Sequence, residues 1–193
     1  MGPDKIEKIL IVDYGSQFTQ LIARKIRELG VYSEIINPQN IKNIKKNKFL
    51  KGIVLSGGPL SITKNTGLKL NNLIIDLNLP LLGICYGHQI LARKFGGKIK
   101  LSKNREFGKA IIKSKSKCLI TKNFFRKSSG SQVWMSHQDV IKKIPRGFKS
   151  VGYSSNSKFA IIANEKLKYY GVQFHPEVSH TVNGKILLKN FLF

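Results

Sequence analysis

Short β-branched runs that stop at glycine-bearing turns, each followed by a helical repeat, constrain this chain more than any other feature. Ile9–Val12 is such a run and closes at Asp13 and Gly15. Phe18, Leu21, Ile22, Ile26 and Leu29 then recur at helical spacing as far as Gly30, a residue suited to ending a helix. Ser33–Ile36 and Gly52–Leu55 read as the next two strands, the latter running into Ser56-Gly57-Gly58-Pro59. A helical stretch around Leu68–Leu77 leads past Pro80 to a fourth strand, Leu81–Ile84, and then to a helix over Gln89–Phe95. Parallel pairing needs a long crossover between strands, and alternation at this pitch supplies it. The first half is therefore expected to consist of βαβ units.

The second half has a different pattern. Ala110–Ile112, Gln132–Met135, Phe159–Ala163 and Tyr169–Phe174 look like strands joined by turns, and Lys185–Phe193 like a closing helix. The expected fold class is α/β: a mostly parallel central sheet flanked by helices, with these later strands as an antiparallel extension. No repeat or Pro/Ser/Gly-rich linker divides the 193 residues, which fit one domain over residues 9–193 behind a short tail over residues 1–8.

The charge is unusual: 34 Lys and Arg against 10 Asp and Glu give +24. It can be read as a surface for nucleic acid or an acidic partner, or as a compositional bias spread over every solvated face. Runs such as Lys42–Lys51 and Lys113–Lys117 carry few aromatics for base stacking, and no nucleic-acid-binding motif accompanies them. The compositional reading is therefore preferred, and nucleic acid is not expected as the partner. Two cysteines, Cys85 and Cys118, are too few for a disulfide framework and suit a reducing, cytoplasmic setting. Met1–Lys8 is charged with no secretory apolar core after it, and the apolar runs are too short for a membrane span.

The strongest chemical signal is Gly83-Ile84-Cys85-Tyr86-Gly87. A strand passes straight into a helix through Cys85, with glycines two residues to either side, which is the logic of a nucleophile elbow. The following helix N-terminus favours a thiolate, and the N–H of Tyr86 can help to hold an oxyanion. On its own, a cysteine between glycines also reads as a small buried residue at a tight turn. Downstream, Gln173-Phe174-His175-Pro176-Glu177 ends a strand-like run. Residues two apart on an extended segment share a side, so Glu177 can orient His175 as the base for Cys85. Gly57-Gly58 could supply converging N–H groups, Gly58 forming the second half of an oxyanion hole. Either motif alone has a plainer reading, a surface hydrogen bond or an ordinary turn. His88, His137 and His180 do not sit at metal-ligand spacing with the cysteines, so no metal is assigned. No Gly-x4-Gly-Lys-Ser/Thr phosphate loop is present.

Together, Gly83 to Gln89 and His175 to Glu177 resemble class I glutamine amidotransferases, whose elbow reads Gly-x-Cys-x-Gly-x-Gln and whose base segment reads His-Pro-Glu. Other segments are most similar to the amidotransferase part of GMP synthetases. These are Asp13-Tyr14-Gly15-Ser16-Gln17, Arg105-Glu106-Phe107-Gly108, Val133-Trp134-Met135-Ser136-His137 and Gly171 through Thr181. The resemblance implies a flavodoxin-like fold and a Cys85–His175–Glu177 triad that hydrolyses glutamine through a thioester. It also implies a glutamine site formed by Gln89 and the backbone around Ser136, Gln138 and Asp139, with Gly57 beside it. Ammonia would go to an ATP-pyrophosphatase partner that aminates XMP to GMP, and ATP and magnesium are expected only there, with no cofactor in this chain. His88 stands where GMP synthetases usually carry Met, and Gln138 where they usually carry Gly. The alternatives are the glutaminase part of an anthranilate or carbamoyl-phosphate synthetase, or a non-catalytic basic binding module.

Overall fold

The computed structural model describes residues 6–44, 48–63, 69–125 and 130–193. Its strands are β1 (Lys8–Val12), β2 (Tyr32–Ile36), β3 (Leu50–Leu55), β4 (Leu81–Ile84), β5 (Lys98–Ser114), β6 (Ser131–Lys143), β7 (Lys149–Tyr153), β8 (Ile161–Asn164) and β9 (Tyr169–Val172). The α-helices are α1 (Thr19–Glu28), α2 (Asn72–Asp76), α3 (Tyr86–Lys94) and α4 (Gly184–Leu192). The strands form one sheet in the order β2-β1-β3-β4-β9-β8-β7-β5-β6. The first five in that order pair in parallel, and the remaining pairs are antiparallel.

Successive residues of a strand face opposite sides of the sheet, and the two cores follow that alternation. Ile9, Ile11, Val54, Leu82 and Ile84 pack against Ile22, Ala23 and Ile26 of α1 and Leu187 and Leu188 of α4. Leu10, Val12, Ile53, Leu55 and Leu81 pack on the other side with Ile74 of α2 and Ile90, Leu91 and Ala92 of α3. Ile22 and Ile26 are fully buried, each a gain of roughly 1.5–3 kcal/mol over exposure. Both faces of the parallel half are thus covered, which explains its unbroken apolar runs.

Two expectations about the later strands need correction. Tyr169–Phe174 is expected in the antiparallel extension, yet β9 lies parallel to β4 and antiparallel only to β8. All four residues of β9 are buried, as a strand in mid-sheet must be; the tight turn from Asn164 to Tyr169 reverses β8 and so returns β9 to the common direction. The strands expected over Ala110–Ile112 and Gln132–Met135 are the end, next to the connection, of a much longer hairpin, β5–β6. Its far part carries Lys, Asn, Arg, Glu and His in place of alternating apolar residues, so no pattern marks it. Strand β7 has no counterpart in the sequence reading, because only Val151 and Gly152 of its five residues are buried.

The helix expected around Leu68–Leu77 is confined to Asn72–Asp76, where the Asn71 side chain caps it by accepting from the Leu73 N–H at 3.0 Å; Leu68 lies outside the described residues. Part of the expected tail and of the Lys42–Lys51 run does too. Among the described residues no helix is long and apolar enough to cross a membrane.

β2 and β3 flank β1 on opposite sides. In open α/β sheets such a reversal of strand order leaves a crevice at the carboxyl ends of the strands. Four segments gather there: Asp13–Gln17 after β1, Ser56–Pro59 after β3, Cys85 after β4 and Gln173–Glu177 after β9.

Candidate active site

Cys85 joins β4 to α3 with φ 53° and ψ −105°. A non-glycine residue held there stores strain of roughly 1–3 kcal/mol, and the surroundings must impose it. They do so through the backbone: the Cys85 N–H donates to Val172 O at 2.8 Å, Gly87 N–H to Ser56 O at 3.0 Å, and Gln89 N–H to Cys85 O at 3.2 Å. The crossing is too close for side chains. A Cβ on Gly83 would lie 2.5 Å from Gly87 O, and one on Gly87 would lie 2.3 Å from Leu55 O. The Cys85 Sγ is directed at the Ser136 carbonyl, 3.4 Å away, with the Gln173 amide nitrogen at 3.9 Å.

His175 arrives beyond the end of β9. Its N–H donates to Trp134 O at 3.0 Å, and its carbonyl accepts from the Thr181 hydroxyl, which itself accepts from the Trp134 N–H. The imidazole Nδ1 lies 2.7 Å from Glu177 Oε1, with both side chains buried. The two meet across a turn at Pro176-Glu177 instead of along the extended segment the sequence suggested. Burial pushes the imidazole pKa down, but the Glu177 carboxylate and the Cys85 thiol outweigh it and hold it up at about 10. That shift favours the protonated ring. Its remaining nitrogen, Nε2, is left for the thiol, and the Phe18 ring packs edge-on at 4.9 Å.

Two cavities meet at Cys85. The first, about 190 Å³, is lined by Gly58, Pro59, Leu60, Tyr86, Gln89, Phe107 and the β6 segment Ser136 to Asp139. The expected residues Gly58, Tyr86, Gln89, Ser136, Gln138 and Asp139 thus fall together. Gly57 does not line it: a Cβ there would lie 3.1 Å from Ser16 Oγ and 3.4 Å from the His175 ring. The second cavity, about 320 Å³, lies on the His175 side and is lined by Gly15, Ser16, Gln17, Phe18 and His175, sharing Gly58, Pro59, Cys85 and Ser136 with the first.

Several side chains at the first cavity are already engaged. Gln89 donates to Asp139 O at 2.7 Å and to Gln173 Oε1 at 3.2 Å. The Asp139 carboxylate accepts from Ser61 Oγ at 2.6 Å, Ile62 N–H at 2.8 Å and Thr63 Oγ1 at 3.1 Å. It ties the loop after β3 to β6. Gln138 is exposed at the rim, opposite the break in β5–β6 register between Leu101 and Glu106. His88 is buried, donates from Nε2 to Phe159 O at 3.0 Å, and is driven to a pKa of about 3 by loss of solvent, so it stays neutral.

Sequence reasoning gives no role to Gln173, nor to a buried polar network behind β6. Glu106 Oε2 lies 3.0 Å from His137 Nε2, and Ser154 Oγ donates to Glu106 Oε1 at 2.9 Å. Glu106 and His137 stand out only within the segments carrying the family resemblance. Ser154 gives no signal, since nothing in a lone serine's surroundings marks it as buried.

A family model described as glutamine amidotransferase class-I matches residues 10–193. GMP synthase [glutamine-hydrolyzing] from Rhizobium etli is 46% identical over 186 residues, covering 96% of this chain and 36% of that protein. The protein of that name from Maridesulfovibrio salexigens is 44% identical over 190 residues, with the same coverages of 96% and 36%. The chain therefore spans about a third of the length of these curated relatives. A crystal structure from Thermoplasma acidophilum, described as that of a candidate GMP synthase subunit, superposes with a TM-score of 0.81 at 32% identity, covering 97% of this chain and 92% of that one. A Thermotoga maritima glutamine amidotransferase shares the fold, with a TM-score of 0.65 at 22% identity over 89% of this chain and 76% of that one. The elbow cysteine, the buried His–Glu pair and these matches lead to one conclusion: this chain belongs to the class-I glutamine amidotransferase family.

Proposed function

We propose that the chain hydrolyses L-glutamine and delivers the ammonia to an ATP-pyrophosphatase domain or subunit that aminates XMP to GMP. Residues 9–193 serve as the amidotransferase domain, in the cytoplasm, and ATP and magnesium belong to the partner. The observation that carries this reading is the convergence on a strained Cys85 of Gly58, which lines both cavities, and of a buried His175–Glu177 pair that reaches it from the second. The GMP synthases among the relatives, two-thirds of whose length lies beyond this match, support the choice of acceptor.

The chemistry follows from the charges. A proton held on His175 beside the sulfur favours the thiolate, the nucleophilic form of cysteine. Sγ attacks the side-chain amide carbon of glutamine, and the N–H groups of Gly58 and Tyr86 receive the developing oxyanion. The C–N bond breaks as His175 gives its proton to nitrogen, leaving a glutamyl thioester and neutral ammonia. Water then attacks the thioester while His175 accepts one of its protons. The C–S bond breaks, and glutamate and the original thiolate–imidazolium pair result. Glu177 holds the imidazole in one orientation throughout. Gln89, Ser136, Gln138 and Asp139 line the volume for the amino-acid end of glutamine, with Gly57 packed behind His175. Since the Asp139 and Gln89 side chains are already bonded within the chain, β6 offers mainly backbone groups to the substrate.

The test is glutamate release from glutamine by the chain alone, and then with an ATP-pyrophosphatase partner, ATP and XMP. Release that rises with the partner and yields GMP is expected. Release that ignores that partner would retain the hydrolysis and remove the acceptor. A folded chain that releases no glutamate in either mixture would overturn both.

A further inference from the structure

Gln173 is fully buried just beyond β9, and its side chain lies between Gln89 and the Cys85 sulfur. The sheet puts it there. β9 is the parallel neighbour of β4, the strand that ends at Cys85. The Cys85 N–H bonds Val172 O and the Gln173 N–H bonds Ala160 O, each at 2.8 Å, which holds the two residues side by side. A buried amide needs a partner of the right kind at each of its ends.

Which end faces the sulfur follows from the neighbours. The Asp139 carbonyl can only accept, so the Gln89 atom 2.7 Å from it is the amide nitrogen. That nitrogen can only donate, so the Gln173 atom 3.2 Å from it is the carbonyl oxygen. The Gln173 nitrogen is therefore the end turned to Sγ, at 3.9 Å. Bonds at a reacting atom are often long before substrate binds and tighten afterwards. The Ser136 carbonyl, 3.4 Å from Sγ, accepts the S–H of a neutral thiol but opposes a thiolate. Loss of the thiol proton thus weakens one contact and strengthens the other.

We infer that Gln173 is a neutral donor to the Cys85 thiolate, held in that direction by Gln89. Sulfur, Gln173, Gln89 and the Asp139 carbonyl then form one relay, so the attacking atom and the wall proposed for the amino-acid end of glutamine share a frame. Only the effect on turnover rests on the proposed hydrolysis; the charge on sulfur can be read without glutamine. Among the titratable groups, His175 faces Sγ with Glu177 behind it, and His137 and Asp139 stand in the first cavity, each with a bonded partner. None of these is bonded to the Gln173 nitrogen among the described contacts.

The experiment uses the Cys118→Ala chain, which leaves Cys85 as the single thiol. Alkylation by iodoacetamide is timed at pH 7 and in alkaline solution for this parent, Gln173→Met, Gln89→Met and the double variant; Gln173→Leu serves should Gln173→Met fold poorly. Expected for Gln173→Met is a rate about three- to tenfold lower at pH 7. In alkali, where sulfur ionises without help, its rate should return to within about twofold of the parent's. Gln89→Met should lose less at pH 7, because Gln173 keeps its donors but not its fixed direction, and the double variant should match Gln173→Met. A pH 7 rate equal to the parent's in the folded Gln173 variant overturns the donor role. So does a loss that persists in alkali, which would mark altered access to the sulfur. Losses that multiply in the double variant, or a Gln89→Met rate equal to the parent's, overturn the relay. Glutamate release is measured alongside: a parent alkylated at Cys85 that releases none overturns the proposed hydrolysis, while the alkylation rates still decide the role of Gln173.

Discussion

On the parallel side of the sheet, position is set by main chain. Cys85 is fixed by bonds to Val172 and Gln89 and Gly87 by a bond to Ser56, and the crossing leaves no room for a side chain at Gly83 or Gly87. On the antiparallel side, the wall of the first cavity is set by buried side chains. Residues 136–139 of β6 face a break in the β5 ladder, and Glu106, His137 and Ser154 close behind them. A backbone frame tolerates strain and places an atom firmly. A polar side-chain network depends on every partner being present. The two halves should therefore fail differently when altered, and the failures can be ranked.

The largest effect is expected at Cys85. Cys85→Ala should abolish glutamate release, because the sulfur that would form the thioester is gone. Cys118→Ala should change it little: Cys118 sits in the core, and burial pushes its thiol up to about 11. The strained backbone adds a sharper test. Alanine keeps the Cβ that makes φ 53° costly, while glycine removes it. Cys85→Gly, equally inactive, should unfold in urea at higher free energy than Cys85→Ala, by about 1 kcal/mol. Equal stability of the two variants would mean the elbow stores no strain, and the contrast between the halves would lose its first term.

Much of the parallel half is legible in the sequence, because its signals are local. The burial of both sheet faces writes unbroken apolar runs at Ile9–Val12 and Leu81–Ile84, and the backbone crossing writes Gly83 and Gly87. Cys85 and His175 lie close to the ends of such runs, whereas the contact of His175 with Glu177 comes from the turn at Pro176-Glu177. The antiparallel half is read poorly. β7 is a mostly polar strand, and the outer reaches of β5–β6 owe their pairing to contacts remote in sequence, including Ser154 with Glu106 across 48 positions. The parallel placement of β9 escapes the sequence reading because strand direction depends on the sheet order, which no local pattern encodes. The separation of two cavities at Cys85 is likewise a property of the assembled ends of four segments.

The next effect is smaller and concerns His175, where the two halves meet through the Trp134 carbonyl. Loss of a general acid–base group costs about 10²–10⁴ in rate. His175→Ala should lose glutamate release on that scale, and Glu177→Gln less, because it keeps a hydrogen-bonding group beside Nδ1. The raised pKa also makes stability depend on pH. The folded state retains the proton up to about pH 10, whereas the unfolded chain releases it near the ordinary histidine value of 6.5. The stabilisation is thus complete below about pH 6.5 and is lost as pH rises toward 10. Urea unfolding of the parent and of His175→Ala, compared between these limits, should show the parent's advantage shrinking with rising pH. An advantage that stays constant would mean that no proton is held there.

The smallest effect on chemistry, and the one most specific to the antiparallel half, is expected from Glu106→Ala. The change leaves His137 Nε2 and Ser154 Oγ buried without their carboxylate, and an unsatisfied buried group costs about 1–3 kcal/mol. Stability should fall by roughly that amount per orphaned group. The Cys85 backbone is anchored by main-chain bonds outside β5–β6, so the turnover number for glutamine should change by less than about threefold in a temperature range where the variant is folded. The KM should rise, because residues 136–139 carry the carbonyls that meet Cys85 and Gln89 and form the wall of the cavity. Glu106→Gln, which keeps an acceptor for both partners, should recover most of the KM. A turnover number that collapses while KM stays fixed would show that the network reaches the reacting atoms. The division between a backbone-built catalytic half and a side-chain-built binding half would then fail.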